Sequence, residues 1–212
     1  MKKLGFGMMR LPLLNEEDKK SIDKKTVCQM VDTFMERGFT YFDTAYMYHE
    51  YESERAMKDV LVTRKDRDSY TLASKLPVMQ LKEKEDMERI FNEQREKCGV
   101  EYFDYYLLHA LDAEHYKTVK RLDCFGFAMQ KKAEGKVKHV GFSFHDSAEV
   151  LDQILTEHPE AEFVQLQLNY LDWEMQDAKT QYEILTENGI QVIVMEPVRG
   201  GALASLCPES DA

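Results

Sequence analysis

Six polar residues close apolar runs along the chain: Asp43 after "FTYF", Lys75 after "YTLAS", His109 after "FDYYLL", Ser143 after "VKHVGF", Asn169 after "FVQLQL" and Glu196 after "IQVIVM". An acid, an ammonium, an imidazole, a hydroxyl, an amide and a second acid are the groups that move protons and polarise carbonyls. If the runs are parallel strands, all six sit at carboxyl ends, the face on which barrel and doubly wound enzymes build their sites. Each also has a plain structural reading. Asp43 can cap the turn that follows it, Lys75 can be a solvated strand end, His109 a core histidine, and the tyrosines of "AYMYHEYE" interface aromatics. His49, in the same stretch, reads as an ordinary exposed loop residue.

The elements that must position these groups alternate. Runs rich in β-formers span 4–9, 39–43, 70–75, 103–109, 137–143, 163–169 and 190–196. Between them lie segments such as "DKKTVCQMVDTFMERG" and "EKEDMERIFNEQREKCG", whose apolar residues recur at helical spacing and which close on glycine. The repeat predicts a parallel α/β sheet with right-handed crossovers. A nucleotide-binding open sheet needs a glycine-rich turn after its first strand, and "GFGMMRLP" has Arg10 at the third glycine and Pro12 beyond it. A barrel is preferred.

Composition narrows the function. With 212 residues, 43% of them hydrophobic, and no linker or low-complexity tract, 1–212 reads as one domain. The balance of 28 Lys and Arg against 39 Asp and Glu gives a net charge of -11, so a nucleic acid or anionic membrane gains no electrostatic attraction from the chain as a whole. The start "MKKLGFGMMRLPLL" lacks the unbroken apolar stretch of a signal peptide, and no segment approaches membrane-spanning length; a cytoplasmic protein is expected. Cys28, Cys98, Cys124 and Cys207 show no paired spacing, which argues for reduced, structural thiols and against a zinc site.

The motifs "GFTYFDTAYMYHEYESE", "YTLASKLP", "DYYLLH", "GKVKHVGFS", "VQLQLNY" and "VIVMEPVRGGAL", in that order over about residues 3 to 203, resemble the aldo/keto reductase family. Within it the chain is similar to the bacterial branch whose longer members carry a cysteine-rich iron-sulfur segment, absent here. The resemblance implies an α/β TIM barrel and a tetrad of Asp43, Tyr48, Lys75 and His109 that reduces aldehydes or ketones. The tetrad suits that reaction. A tyrosine hydroxyl is a poor acid at neutral pH, its reference pKa being near 10. A lysine ammonium beside it favours the phenolate and lowers that pKa, and a buried aspartate keeps the lysine charged. Tyr48 is then the proton donor, Lys75 its activator, Asp43 the anchor, and His109 a neutral hydrogen-bond partner for the substrate carbonyl.

The same resemblance places NADPH against Asp43, Ser143, Gln165 and Met195 and along the turn of Gly200, Gly201 and Leu203, where glycines let backbone amides approach phosphate. Three residues depart from the family pattern: Phe144 replaces a carboxamide-binding asparagine, Met195 a stacking tyrosine, and Tyr51 a glycine. The seventh strand is followed only by "ASLCPESDA" after the glycine turn. A barrel of about seven strands, lacking its eighth βα unit and the segment that selects NADP over NAD, is therefore expected. That expectation opens a rival reading: a catalytically silent barrel module that associates through its open edge. A metal hydrolase using His49, His109 and His145 is a third reading, disfavoured because the close ligand spacing of such sites is missing.

Overall fold

The computed structural model describes residues 2–205. Seven strands, β1 Gly5–Gly7, β2 Tyr41–Asp43, β3 Thr71–Leu76, β4 Phe103–Leu111, β5 Val137–Phe144, β6 Phe163–Gln167 and β7 Gln191–Met195, pair in parallel and in chain order. They curl into an incomplete TIM-type barrel with helices outside. All seven fall where the apolar runs place them. Among the described residues β1 pairs only with β2 and β7 only with β6, so each has a free edge.

The helices follow from local signals. Helix α1, Lys24–Glu36, starts at Asp23, whose carboxylate accepts from Thr26 N at 3.1 Å, and buries Val27, Val31 and Phe34 at helical spacing. After it Gly38 turns the chain at φ 78°, a conformation glycine adopts without cost. Two helical stretches follow α1: α2, Ser53–Met57, which widens into a π turn over Lys58–Val62, and α3, Lys84–Cys98, which opens on a Glu83–Asp86 capping box and closes on Gly99 in the left-handed region. Beyond β4 come α4, Ala113–Leu122, and α5, Cys124–Ala133; α6, Ala148–Glu157, follows β5. A short turn α7, Asp172–Met175, and α8, Ala178–Glu187, fill the β6–β7 crossover. Residues 8–22 form no helix; they make a loop with one antiparallel bridge, Leu13 to Ile22.

Strand alternation divides the core in two. Outward residues such as Phe42, Leu72, Tyr106, Val140 and Val164 pack against the helices in one large cluster. Inward residues Ala73, Leu107 and Phe163, with Tyr41, Tyr105 and Ile193 against them, plug the interior. Aromatic rings fit there because glycine stands opposite. A Cβ on Gly5 would lie 2.8 Å from the Tyr41 ring, and one on Gly141 would lie 2.2 Å from the Phe163 carbonyl oxygen. With the plug in place, the inward residues one step further along β2, β3, β4, β5 and β6 form the floor of the mouth. Cys28, Cys98 and Cys124 are free thiols among the described residues; Cys207 lies outside them.

The Gly141 contact is against backbone, which cannot rotate away. Gly141→Ala should therefore force β5 and β6 apart and cost about 1–3 kcal/mol, the usual range for an overpacked site. A shift of the urea midpoint measures it, and an unchanged midpoint would show that the two strands separate freely.

Candidate active site

Asp43 ends β2 and Lys75 lies near the end of β3, and both side chains turn into the barrel. Lys75 is fully buried and Asp43 is 8% exposed. The Lys75 ammonium donates to Asp43 Oδ1 at 2.5 Å, to the Thr44 carbonyl at 2.8 Å and to the Tyr48 hydroxyl at 3.3 Å. Its three hydrogens are thus all engaged. The second carboxylate oxygen, Asp43 Oδ2, accepts from Gln165 Nε2 at 3.0 Å and from the Tyr41 hydroxyl at 3.4 Å. β3 is braced from behind. Gln94 Nε2, on α3, donates to the Lys75 carbonyl at 2.9 Å and to Glu54 Oε1 at 2.8 Å, and Ser74 Oγ donates to the same Glu54 oxygen at 2.7 Å.

His109 comes from the end of β4, its ring 5.8 Å from that of Tyr48 and nearly perpendicular to it, at 79°. The next residue, Ala110, is left-handed at φ 55°, and its amide donates to Ser143 Oγ at 2.7 Å. Ser143 therefore fixes the backbone that aims His109. Among the described residues the buried Nδ1 of His109 has no hydrogen-bond partner.

Burial dominates the electrostatics. It pushes the His109 pKa down to about 3, with the nearby Lys75 charge acting in the same direction, so the imidazole is neutral at ordinary pH. For Lys75, burial works against the charge, but the Asp43 carboxylate and Tyr48 together outweigh it, and the ammonium is held above its usual value. Tyr48 corrects the expectation of a lowered pKa. Removal from water raises the phenol above 10; the Lys75 ammonium opposes this, but Asp43 and Glu196 reinforce it. The hydroxyl remains protonated.

Of the other anticipated groups, Ser143 and Gln165 are register partners on β5 and β6, both facing inward. Met195 ends β7, its carbonyl accepting from Leu168 N at 3.2 Å. Along the glycine turn, Gly200 and Gly201 are left-handed, at φ 66° and 100°, and the amides of Gly201 and Leu203 both point at the Val198 carbonyl. Asn169 is not a reagent at the mouth. Its amide ties Asp172 Oδ2 at 2.6 Å to the Glu196 carbonyl at 3.1 Å, joining the β6 and β7 loops. Glu196 pairs with Arg10 across the gap between β7 and β1.

His49 departs from the exposed loop residue expected: it is half-buried and hydrogen-bonded through both ring nitrogens, to Leu11 N and to the Lys19 carbonyl. Both ring nitrogens of this candidate metal ligand are thus engaged by the backbone. Among the described residues no three His, Cys, Asp or Glu side chains gather as a metal set would require. Sequence reasoning passed over Glu54, Thr44 and Tyr41. Glu54 had a signal, an acid inside the buried start of α2; Thr44 acts through its carbonyl, which no side-chain pattern reveals.

The arrangement defines a parallel barrel whose strand-end face joins a buried lysine–aspartate pair to a tyrosine and a neutral histidine. The chain belongs to the aldo/keto reductase family, whose family model matches residues 3–207. No curated protein matches it in sequence. Among solved structures it is similar to an aldo-keto reductase from Bacillus halodurans in its holo form, at 22% identity over 98% of this chain and 66% of that one, with a TM-score of 0.71. An aldo/keto reductase from Brucella melitensis is similar at 19% identity over 93% and 69% of the two chains, TM-score 0.68. One from Klebsiella pneumoniae, in complex with NADPH, is similar at 18% identity over 95% and 66%, TM-score 0.70. At such identities the likeness is one of fold. The chain spans just under two thirds of the first and last of these proteins, 66% of each.

The neutral His109 gives a pH-dependent stability. An unfolded histidine titrates near 6.5, whereas the folded one is held to about 3, so between these values only the unfolded chain takes up this proton. The His109 contribution is intact above the window and is lost as pH falls through it. Urea unfolding at a series of pH values should show that slope, and His109→Gln should flatten it; an identical slope in the variant would place the titration elsewhere.

Proposed function

We propose that the chain reduces aldehyde or ketone carbonyls to alcohols with NAD(P)H. The observation that carries the reading is the Lys75 ammonium, 3.3 Å from the Tyr48 hydroxyl and pinned to Asp43, with His109 beside the same phenol. His109, as neutral imidazole, hydrogen-bonds the carbonyl oxygen and orients it. A reduced nicotinamide, when bound, supplies a hydride to the carbonyl carbon. Tyr48 gives its proton to the oxygen as negative charge develops there, and the Lys75 ammonium stabilises the phenolate left behind. A phenol that stays protonated at neutral pH suits that direction, because an acid must hold its proton until the transition state takes it. Asp43 keeps Lys75 charged throughout.

The residues fit a dinucleotide. Ser143 and Gln165 adjoin on β5 and β6 as a pair for a carboxamide, and Met195 offers an apolar surface to a ring face. Space is open over Gly7 and Gly201, where a Cβ would meet nothing within 4 Å. Gly200, Gly201 and Leu203 would lie along the phosphates. Support for NADPH comes from the Klebsiella pneumoniae relative solved with it. Tyr48→Phe should lower turnover of a test aldehyde by about 10²- to 10⁴-fold and leave the Kd for NADPH nearly unchanged, since it removes a proton donor and no ground-state contact with the nucleotide. Turnover near the parental value would remove Tyr48 from the acid role.

A second reading, self-association through the open barrel edge, is favoured by the free edges of β1 and β7. Val194 on β7 is 45% exposed and Val198 just beyond it 47%, and Leu4 beside β1 is 53% exposed. Unpaired strand edges with apolar flanks invite another strand. Size-exclusion chromatography of the purified chain should show concentration-dependent association, and a single monomeric species at all concentrations would defeat this reading.

A further inference from the structure

Directly after Tyr48 the chain runs through three consecutive non-glycine residues in the left-handed region, His49 at φ 51°, Glu50 at 50° and Tyr51 at 75°. L-residues seldom adopt that conformation, and a run of three persists only where the surroundings impose it. The impositions can be named. On one side, His49 reaches into the loop that follows β1: its Nε2 accepts from Leu11 N at 3.0 Å, and its Nδ1 lies 2.9 Å from the Lys19 carbonyl, to which it must donate. These two bonds require a neutral ring protonated on Nδ1. On the other side, Tyr51 reaches into the turn after β3, where its hydroxyl accepts from Gln80 Nε2 at 2.9 Å and its ring stands edge-on to Tyr46 at 5.3 Å. The loop carrying Tyr48 is stretched between these two anchors.

We propose that His49 is a positioning residue for Tyr48: by bonding the β1 loop through both nitrogens it holds the left-handed loop that sets the phenol 3.3 Å from Lys75. This rests on the reductase reading, in which Tyr48 donates the proton. Two other ties link this loop to the chain after β1: Ser53 Oγ donates to the Met8 carbonyl at 3.1 Å from inside the start of α2 and fixes the exit of the loop rather than its strained part, and the exposed Glu50 pairs with Lys20 at 3.7 Å, a surface ion pair that contributes little. Gly99, by comparison, shows what an unforced left-handed position looks like: one residue, glycine, at a helix end. Nothing of the kind relieves residues 49–51. His49 supplies the restraint that a glycine would make unnecessary.

The test uses the whole chain and two variants. His49→Phe keeps the ring and removes both nitrogens; His49→Phe combined with Glu50→Gly removes the anchor and part of the strain together, at an exposed position. Three quantities are read: hydrogen exchange of the Leu11 amide, the NMR signal of the Tyr48 ring, and turnover with NADPH. In His49→Phe, Leu11 exchange should rise by about tenfold, the loss expected of one backbone hydrogen bond. The Tyr48 signal should move, and kcat should drop by about ten- to a hundredfold with NADPH affinity unchanged, as a misplaced donor would cause. Adding Glu50→Gly should return the Tyr48 signal towards the parent and recover most of the turnover while Leu11 exchange stays fast. Faster Leu11 exchange with an unmoved Tyr48 signal would reduce His49 to a loop pin and overturn the proposal, as would unchanged exchange. If the parent itself does not turn over, the reductase reading fails on that result alone, and the exchange and ring signals still decide the role of His49.

Discussion

A lysine ammonium buried in the middle of a sheet is the constraint on which the rest of the site depends. Taking such a charge out of water costs several kcal/mol unless its partners are close and complete. Lys75 meets that condition with a carboxylate, a backbone carbonyl and a phenol, one for each hydrogen. The pair reaches further than β2 and β3. Because Asp43 Oδ2 accepts from Gln165 on β6, the carboxylate joins strands on opposite sides of the curl, 122 residues apart in sequence. Removing the charge would leave Asp43 holding one orphaned oxygen inside the barrel, where a missing partner is more damaging than the bond itself is stabilising.

The same logic explains the second buried acid. Glu54 is wholly inaccessible, and burial raises its carboxyl pKa despite the hydrogen bonds from Ser74 and Gln94. It lies on the outer side of β3, with Lys75 on the inner side, and Gln94 links the two by bonding both Glu54 and the Lys75 carbonyl. The strand that carries the buried cation is therefore fixed from both faces by polar groups, while the neighbouring layers are apolar. Precision at Lys75 comes from satisfied hydrogen bonds rather than from close packing alone.

How much of this was legible follows from the range of each determinant. The seven strands and their terminal Asp43, Lys75, His109 and Ser143 were readable because a parallel strand buried on both faces is a continuous apolar run, and its polar terminus stands out. The conformation of the loop that carries Tyr48 was not readable from spacing. That loop runs through three left-handed residues and makes contacts to Leu11, Lys19 and Gln80, none of which is near in sequence. Asn169 looked like its neighbours at the strand ends, yet its amide is consumed in joining two loops, a difference set by Asp172 three residues on. The direction of the Tyr48 pKa was misjudged for a related reason. The ammonium acts as sequence reasoning requires, but the depth of burial that outweighs it is a property of the whole fold.

That balance bears on how the site works. A lysine that merely lowered the phenol pKa would leave part of the tyrosine ionised and unable to donate. In this protein burial and the charges of Asp43 and Glu196 raise the Tyr48 pKa, and the Lys75 ammonium, 3.3 Å from the hydroxyl, opposes them. Glu196 enters this balance through the fold as well as through its charge. It sits at a left-handed backbone position at the end of β7, pairs with Arg10 from the end of β1, and so connects the two free edges of the sheet above the gap between them. Glu196, the acid of the contact that spans the open side of the barrel, is thus also the last of the causes that raise the Tyr48 pKa. The charge environment of Tyr48 therefore includes a group held where the two ends of the sheet meet.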